Sequence, residues 1–331
     1  FFVRLKLRRA EGVGTLSRTD ILSSFFPSVI CIILVMKIRR ASHSNSWYTG
    51  DVRELDSQLS TWLDNASFAH GPAKAIISPH AGYSYSGPCA AHAFKNINPE
   101  TVDRIFILGP SHHLYLNNSC ALTVADYLET PFYNLKVDSE ICKILKKSGE
   151  FVDLKLSDDE NEHSLEMQMP YVAKVMENRA EAFTVVPILV GSLSFERERV
   201  YGEILAPYLQ DPRTLFVISS DFCHWGNRFR YTYYDEKHGE IWQSIKNLDK
   251  MGMDSIETMN PHAFDAYMKN YRNTICGCHP IGVLLHAIDT LHNTQQGLSF
   301  SLKFVQYAQS NKCHSERDSS VSYASASVVT N

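Results

Sequence analysis

The sequence predicts an α/β fold, a three-layer α/β/α sandwich around a mostly parallel central sheet. Two observations carry that expectation. Four short runs, AKAIIS (73–78), DRIFILG (103–109), FTVVPILVG (183–191) and TLFVISS (214–220), are rich in Ile, Val, Leu and Phe and lack polar alternation. Unbroken apolar runs of that length suit strands buried on both faces, as parallel strands are. Helix-like stretches separate the runs, at 86–96, 138–148, 164–178, 196–210, 235–250, 261–271 and 279–292. Strands alternating with helices build a sheet covered on both faces. Two later runs, 298–308 and 320–329, alternate more strongly and are expected to add antiparallel strands.

The bulk composition fits an ordinary globular chain. Of 331 residues 44% are hydrophobic and 21% charged, and the formal net charge is −4. Acidic and basic residues are mixed throughout, so no basic stripe invites nucleic acid. Eight cysteines show no repeated spacing, and a chain this long needs no covalent staples, so reduced thiols are expected. The acceptor triplets at Asn65 and Asn117 would matter only in an exported chain.

Residues 1–35 read as separate from a single domain spanning 36–331. The apolar stretch 21–36 holds three serines and Pro27, short of the roughly 20 apolar residues of a spanning helix. The first methionine is Met36, and the residues after it are polar. The preferred expectation is upstream translation or a gene-model artefact; the alternative is a signal anchor, which would bring the chain to a membrane. Without it the expected location is the cytoplasm, with the nucleus second.

Chemistry gathers where the strands end. The first run leads into Pro79-His80-Ala81-Gly82-Tyr83, the second into Pro110-Ser111-His112-His113, the fourth into Asp221-Phe222-Cys223-His224. Ligands of open α/β sheets bind outside the carboxyl ends of the strands. One histidine there is most simply a hydrogen-bonded residue, but three at equivalent positions favour metal or acid/base work. Asn273-Thr274-Ile275-Cys276-Gly277-Cys278-His279-Pro280 places Cys276 near a helix start, where the dipole favours a thiolate. Cys-x-Cys-His alone is a weak zinc signal, and a buried inert thiol fits equally.

Around these lie residues with two readings each. His163 and Glu166 of EHSLE supply a polar wall behind the ligands, or simply open a helix. Trp47 and Tyr85 roof a cleft or fill core. Arg228 and Arg230 recognise an anion or are surface charges.

Together SHSNSWY, PHAGYSYSGPCAAHAF, FILGPSHH, DDENEHSLEMQMPY, VISSDFCHWGNRFRY and NTICGCHPIGVLL resemble the Memo family, from about Ala41 to the C-terminus. That family is named for a mediator of receptor-driven cell motility and shares its fold with class III extradiol dioxygenases, which use non-haem iron. The resemblance implies that His80, His112 and Cys276 are the metal ligands and that Asp221 and His224 are catalytic-type neighbours. It implies that Trp47 and Tyr85 are aromatics for a phosphotyrosyl peptide. Cys278 departs from the arginine of the vertebrate pattern.

An iron oxygenase site wants two His and a carboxylate, whereas the implied set has a thiolate. Sulfur is softer and oxidisable, so ring cleavage is disfavoured and one copper or iron ion is expected. The chemistry expected of any turnover in the cleft is metal-dependent redox. Two functions emerge as expectations: a metal-dependent regulator of motility and redox signalling downstream of receptor tyrosine kinases, or a non-catalytic adaptor. The adaptor would bind phosphotyrosyl receptor tails or adaptor proteins in the same cleft and reach cytoskeletal regulators.

Overall fold

The computed structural model of the protein describes residues 36–295 and 297–330. The expectations for residues 1–35 lie outside the described residues. The strands are β1 (Ile38–Arg39), β2 (Ala75–Ser78), β3 (Arg104–Pro110), β4 (Cys120–Thr123), β5 (Tyr127–Leu128), β6 (Leu135–Lys136), β7 (Phe151–Leu154), β8 (Thr184–Val190), β9 (Thr214–Ser219), β10 (His224–Trp225), β11 (Phe300–Gln309) and β12 (Ser320–Thr330). The helices are α1 (Val52–Asn65), α2 (Tyr83–Phe94), α3 (Ser139–Lys147), α4 (Leu156–Asn161), α5 (His163–Glu166), α6 (Met169–Val175), α7 (Phe195–Gln210), α8 (Ile241–Glu257), α9 (Pro261–Tyr271) and α10 (Cys278–Thr294).

The main sheet runs β10-β12-β2-β9-β3-β8-β4-β7, with β11 also paired to β12. Its centre, β2-β9-β3-β8, is parallel. Every residue of β2 and β9 is buried, and in β3 and β8 only the first residue is not. That double-sided burial is why these strands read as unbroken apolar runs. The two late strands join antiparallel, β12 on β2 and β11 on β12, as their alternation predicts. A small three-stranded sheet, β1-β5-β6, stands apart.

Helices cover both faces, so the α/β/α expectation is met. The chain steps from β2 to β3 to β8 in one direction through α2 and α6, then returns to β9 through α7. Right-handed crossovers put those two sets on opposite sides. On one side Phe94 of α2 stacks on Tyr171 of α6 at 4.7 Å. On the other, Phe106 of β3 stacks on Phe216 of β9 at 4.8 Å and meets Tyr208 of α7. The core is continuous through these contacts.

Local chemistry sets the boundaries. Asn260 accepts from the His262 N–H and Pro261 fills the first helical turn, fixing the start of α9. The helix expected over 164–178 is instead α5 and α6. Pro170 lacks an N–H and crowds the carbonyl four residues back, so the helix restarts there. The helix expected over 235–250 begins later, at Ile241, where Glu240 and Gln243 form a capping box, and continues to Glu257. Helix α1 and the outer strands β4 and β7 had no expectation. Among the described residues no helix is long and apolar enough to cross a membrane.

Candidate functional site

Register brings the strand ends together. Ser78 of β2 pairs with Ser219 of β9, so the residues two positions on, His80 and Asp221, emerge side by side. Leu108 of β3 pairs with Ile218 of β9, which delivers His112 to the same rim. The His80 backbone N–H donates to Asp221 Oδ1 at 2.9 Å, closing the turn between them.

His163 comes from elsewhere, the first turn of α5. That turn sits tightly on the end of β3, where a Cβ on Gly109 would lie 2.6 Å from Ser164 Oγ. Only glycine permits the approach, and Ser164 Oγ then donates to the Pro110 carbonyl at 2.8 Å. One donor atom each from His80, His112 and His163 lies within 4.8 Å of the others. The rings of His112 and His163 stack at 4.5 Å, and His80 stands edge-on to both.

Hydrogen bonds fix which nitrogens face inward. Ser219 Oγ donates to the Ser164 carbonyl at 2.7 Å, so it must accept from His80 Nδ1 at 2.8 Å. That leaves the lone pair of His80 on Nε2. Glu162 caps α5, accepting from the Ser164 N–H, and its carboxylate also takes the His112 N–H at 2.6 Å and His112 Nδ1 at 2.9 Å. It lies 3.4 Å from His163 Nδ1 as well. A carboxylate bonded to the His112 Nδ1 fixes that ring's tautomer, which is how metal-binding histidines are usually held. The donor set therefore fits a metal ion, one ring nitrogen coming from each histidine. Imidazoles suit copper, iron and zinc alike.

Cys276 does not belong to that three-donor group. Its Sγ lies 3.1 Å from His80 Nε2 and accepts from the Asp221 N–H at 3.2 Å. Gly277 lets it approach, since a Cβ there would lie 2.3 Å from Ser220 Cβ. The sequence expectation had Cys276 among the ligands and His163 behind them; the geometry draws His163 in and sets Cys276 beside His80.

Burial governs the charges. It pushes His80 well below the ordinary imidazole range, with the neighbouring histidines adding to the effect. It takes His163 down to about 3, helped by His112. Burial alone would raise the Glu162 carboxyl, but its bonds to His112 outweigh that and hold it at about 2. Burial raises Asp221 and carries the Cys276 thiol well above its usual value.

The donors floor a cleft of about 440 Å³. His224 lines it, its Nδ1 within 2.9 Å of the Phe222 carbonyl and 3.1 Å of the Thr274 carbonyl. Nδ1 must therefore carry the proton, leaving Nε2 as an acceptor. Trp47 forms one wall, stacked on His163 at 4.3 Å, and Tyr85 stands 63% exposed at the mouth. Arg228 reaches the cleft with its guanidinium 4.3 Å from the Phe229 ring. Arg230 has a left-handed backbone (φ 56°) and is not part of the lining. Glu166 is fully buried behind the wall, bonded to Arg39, to His43 and to the Tyr48 hydroxyl.

Sequence reasoning missed Ser219 and the hairpin residues Ser310, Asn311, Ser320 and Tyr323 that close the far wall. Glu162 came with the EHSLE segment, read there as a polar wall or an ordinary helix start, and it both caps α5 and bonds His112.

The class this defines is an α/β sandwich with three imidazoles converging beyond its parallel strands, a group that could hold a metal ion. The model of the family described as Memo-like protein matches residues 39–327. "Protein MEMO1" of Homo sapiens is 53% identical over 291 residues, 88% of this chain and 97% of the relative. "Protein MEMO1" of Danio rerio is 52% identical over 294 residues, 89% and 98% of the two chains. "Protein memo-1 homolog" of Caenorhabditis elegans is 50% identical over 289 residues, 87% and 81%. The chain belongs to the Memo-like family.

Proposed function

We propose that the cleft holds one copper or iron ion and that the protein is a metal-dependent regulator of cell motility and redox signalling downstream of receptor tyrosine kinases. The convergence of His80, His112 and His163 donors within 4.8 Å carries the metal reading. These three imidazoles would hold the ion, with the Cys276 sulfur beside His80 as a fourth donor that tilts the set toward Cu(I). A bound ion supplies a one-electron couple at the floor of the cleft. Glu162 and Ser219 orient the rings, and His224 Nε2 is free to take a proton from a molecule in the cleft. Motility, redox signalling and a cytoplasmic location rest on family membership.

Metal-edge X-ray absorption on protein loaded anaerobically with Cu(I) tests the ligand set. Three imidazole nitrogens with one sulfur are expected, the sulfur lost in Cys276→Ser. A spectrum without histidine scattering would refute the proposal.

A second reading has one observation behind it: Arg228, braced on Phe229, enters a cleft walled by Trp47, Tyr85 and Tyr323. A guanidinium beside aromatic rings suits a phosphotyrosyl side chain from a receptor tail or adaptor protein. On this reading the chain links receptors to cytoskeletal regulators. Arg228→Ala should weaken phosphopeptide binding about tenfold or more. Equal affinity for the phosphorylated and unphosphorylated peptides would end this reading.

A further inference from the structure

Beside the cleft lies a second cavity, of about 390 Å³. The two share one lining residue, Trp47. That indole is a fixed partition: its ring stacks on His163 at 4.3 Å and meets His43 edge-on at 5.8 Å. Its backbone is tied twice, Trp47 N–H to the His43 carbonyl at 2.9 Å and Tyr83 N–H to the Trp47 carbonyl at 2.9 Å. A ligand filling both cavities must therefore cross the Trp47 ring.

The two cavities differ in their charged groups. The cleft presents Arg228 and the imidazoles, with the buried Asp221 among them. The second cavity has a single charged side chain in its lining, Glu54, with the rings of Trp47, Trp62, Tyr48 and Tyr83 around it. Glu54 projects from the first turn of α1, where the helix start favours its charge. Its oxygens accept from Thr49 Oγ1 at 2.8 Å and Gln58 Nε2 at 3.1 Å. Each carboxylate oxygen retains a lone pair for a further donor. A carboxylate among indole and phenol rings is the composition that receives an ammonium or guanidinium group, through ion pairing and cation–π attraction together.

We infer that the Glu54 cavity is a recognition subsite for a lysine or arginine side chain of a peptide whose phosphotyrosine occupies the adjoining cleft. The inference rests on the peptide reading of the cleft and adds to it a basic flanking residue on the far side of Trp47.

Fluorescence anisotropy tests it with the full chain and a set of phosphotyrosyl peptides differing only in one lysine, walked along both flanks. At one position the lysine should tighten binding about tenfold over alanine, the two attractions adding to a little over 1 kcal/mol. Glu54→Gln should abolish that gain while leaving the affinity of the all-alanine peptide unchanged. Glu54→Lys should shift the preference to glutamate at the same position. An affinity independent of lysine position, or a lysine gain that survives Glu54→Gln, would overturn the subsite while the peptide reading stood. No binding of any phosphotyrosyl peptide would instead bring down the peptide reading, and the subsite with it.

Discussion

Glu166→Gln should cost about 3 kcal/mol of stability at neutral pH, and the cost should vanish in acid. Glu166 is fully buried and accepts from the Arg39 guanidinium, the His43 N–H at 2.9 Å, His43 Nδ1 at 2.8 Å and the Tyr48 hydroxyl at 2.8 Å. Burial pushes its carboxyl up, but those donors outweigh it and lower the pKa from 4.5 to about 2. A lowered acid pKa means that the unfolded chain binds the proton more readily. The stabilisation is therefore complete above pH 4.5 and is lost as pH falls toward 2. At about 1.4 kcal/mol for each pKa unit, it amounts to about 3 kcal/mol. Gln has the shape of the protonated acid, so the variant should match the wild type at low pH. Breaking a buried ion pair by removing one partner typically costs 3–5 kcal/mol, which agrees. Urea unfolding of both proteins between pH 7 and pH 3 measures the difference. A gap below about 0.5 kcal/mol at pH 7, or one that does not narrow in acid, would refute the reasoning.

Other consequences arise from the same contacts. Glu162→Ala removes the cap of α5 and the acceptor of His112, so metal affinity should fall roughly 10- to 100-fold and stability by about 1 kcal/mol; isothermal titration and thermal unfolding measure the two losses. Phe106→Ala should cost about 3–5 kcal/mol in denaturant unfolding, since its ring fills the core between Phe216 and Tyr208. Burial lowers the Lys74 ammonium to about 8, with Asp211 opposing. The unfolded chain then holds that proton more tightly, so wild type should gain stability relative to Lys74→Met as pH rises from about 8 to 10.5. A pH-independent difference would contradict the assignment.

What the sequence made legible depended on how local the cause was. Strands β2, β3, β8 and β9 were plain because burial on both faces leaves nothing but apolar residues. His80, His112 and Asp221 were plain because they come within a few residues of those strand ends and parallel register does the rest. The place of His163 beside them was not, since it depends on a short helix settling against the bare backbone of Gly109. Arg39 and Glu166 stand 127 positions apart, and no spacing rule links them. The split at Pro170 was readable in principle, because proline cannot continue a helix without losing a bond. The far wall of the cleft comes from the β11–β12 hairpin, whose loop carries ordinary polar residues and no motif.

Anaerobic titration of the full chain with Cu(I) and Fe(II), alongside His80→Ala, His112→Ala and His163→Ala, tests the metal centre most directly. A three-imidazole site should bind one ion per chain and lose it in all three variants, with each variant still folded by circular dichroism. Binding by His163→Ala equal to wild type would remove the third imidazole from the site, and no binding by the wild type would contradict the metal centre altogether.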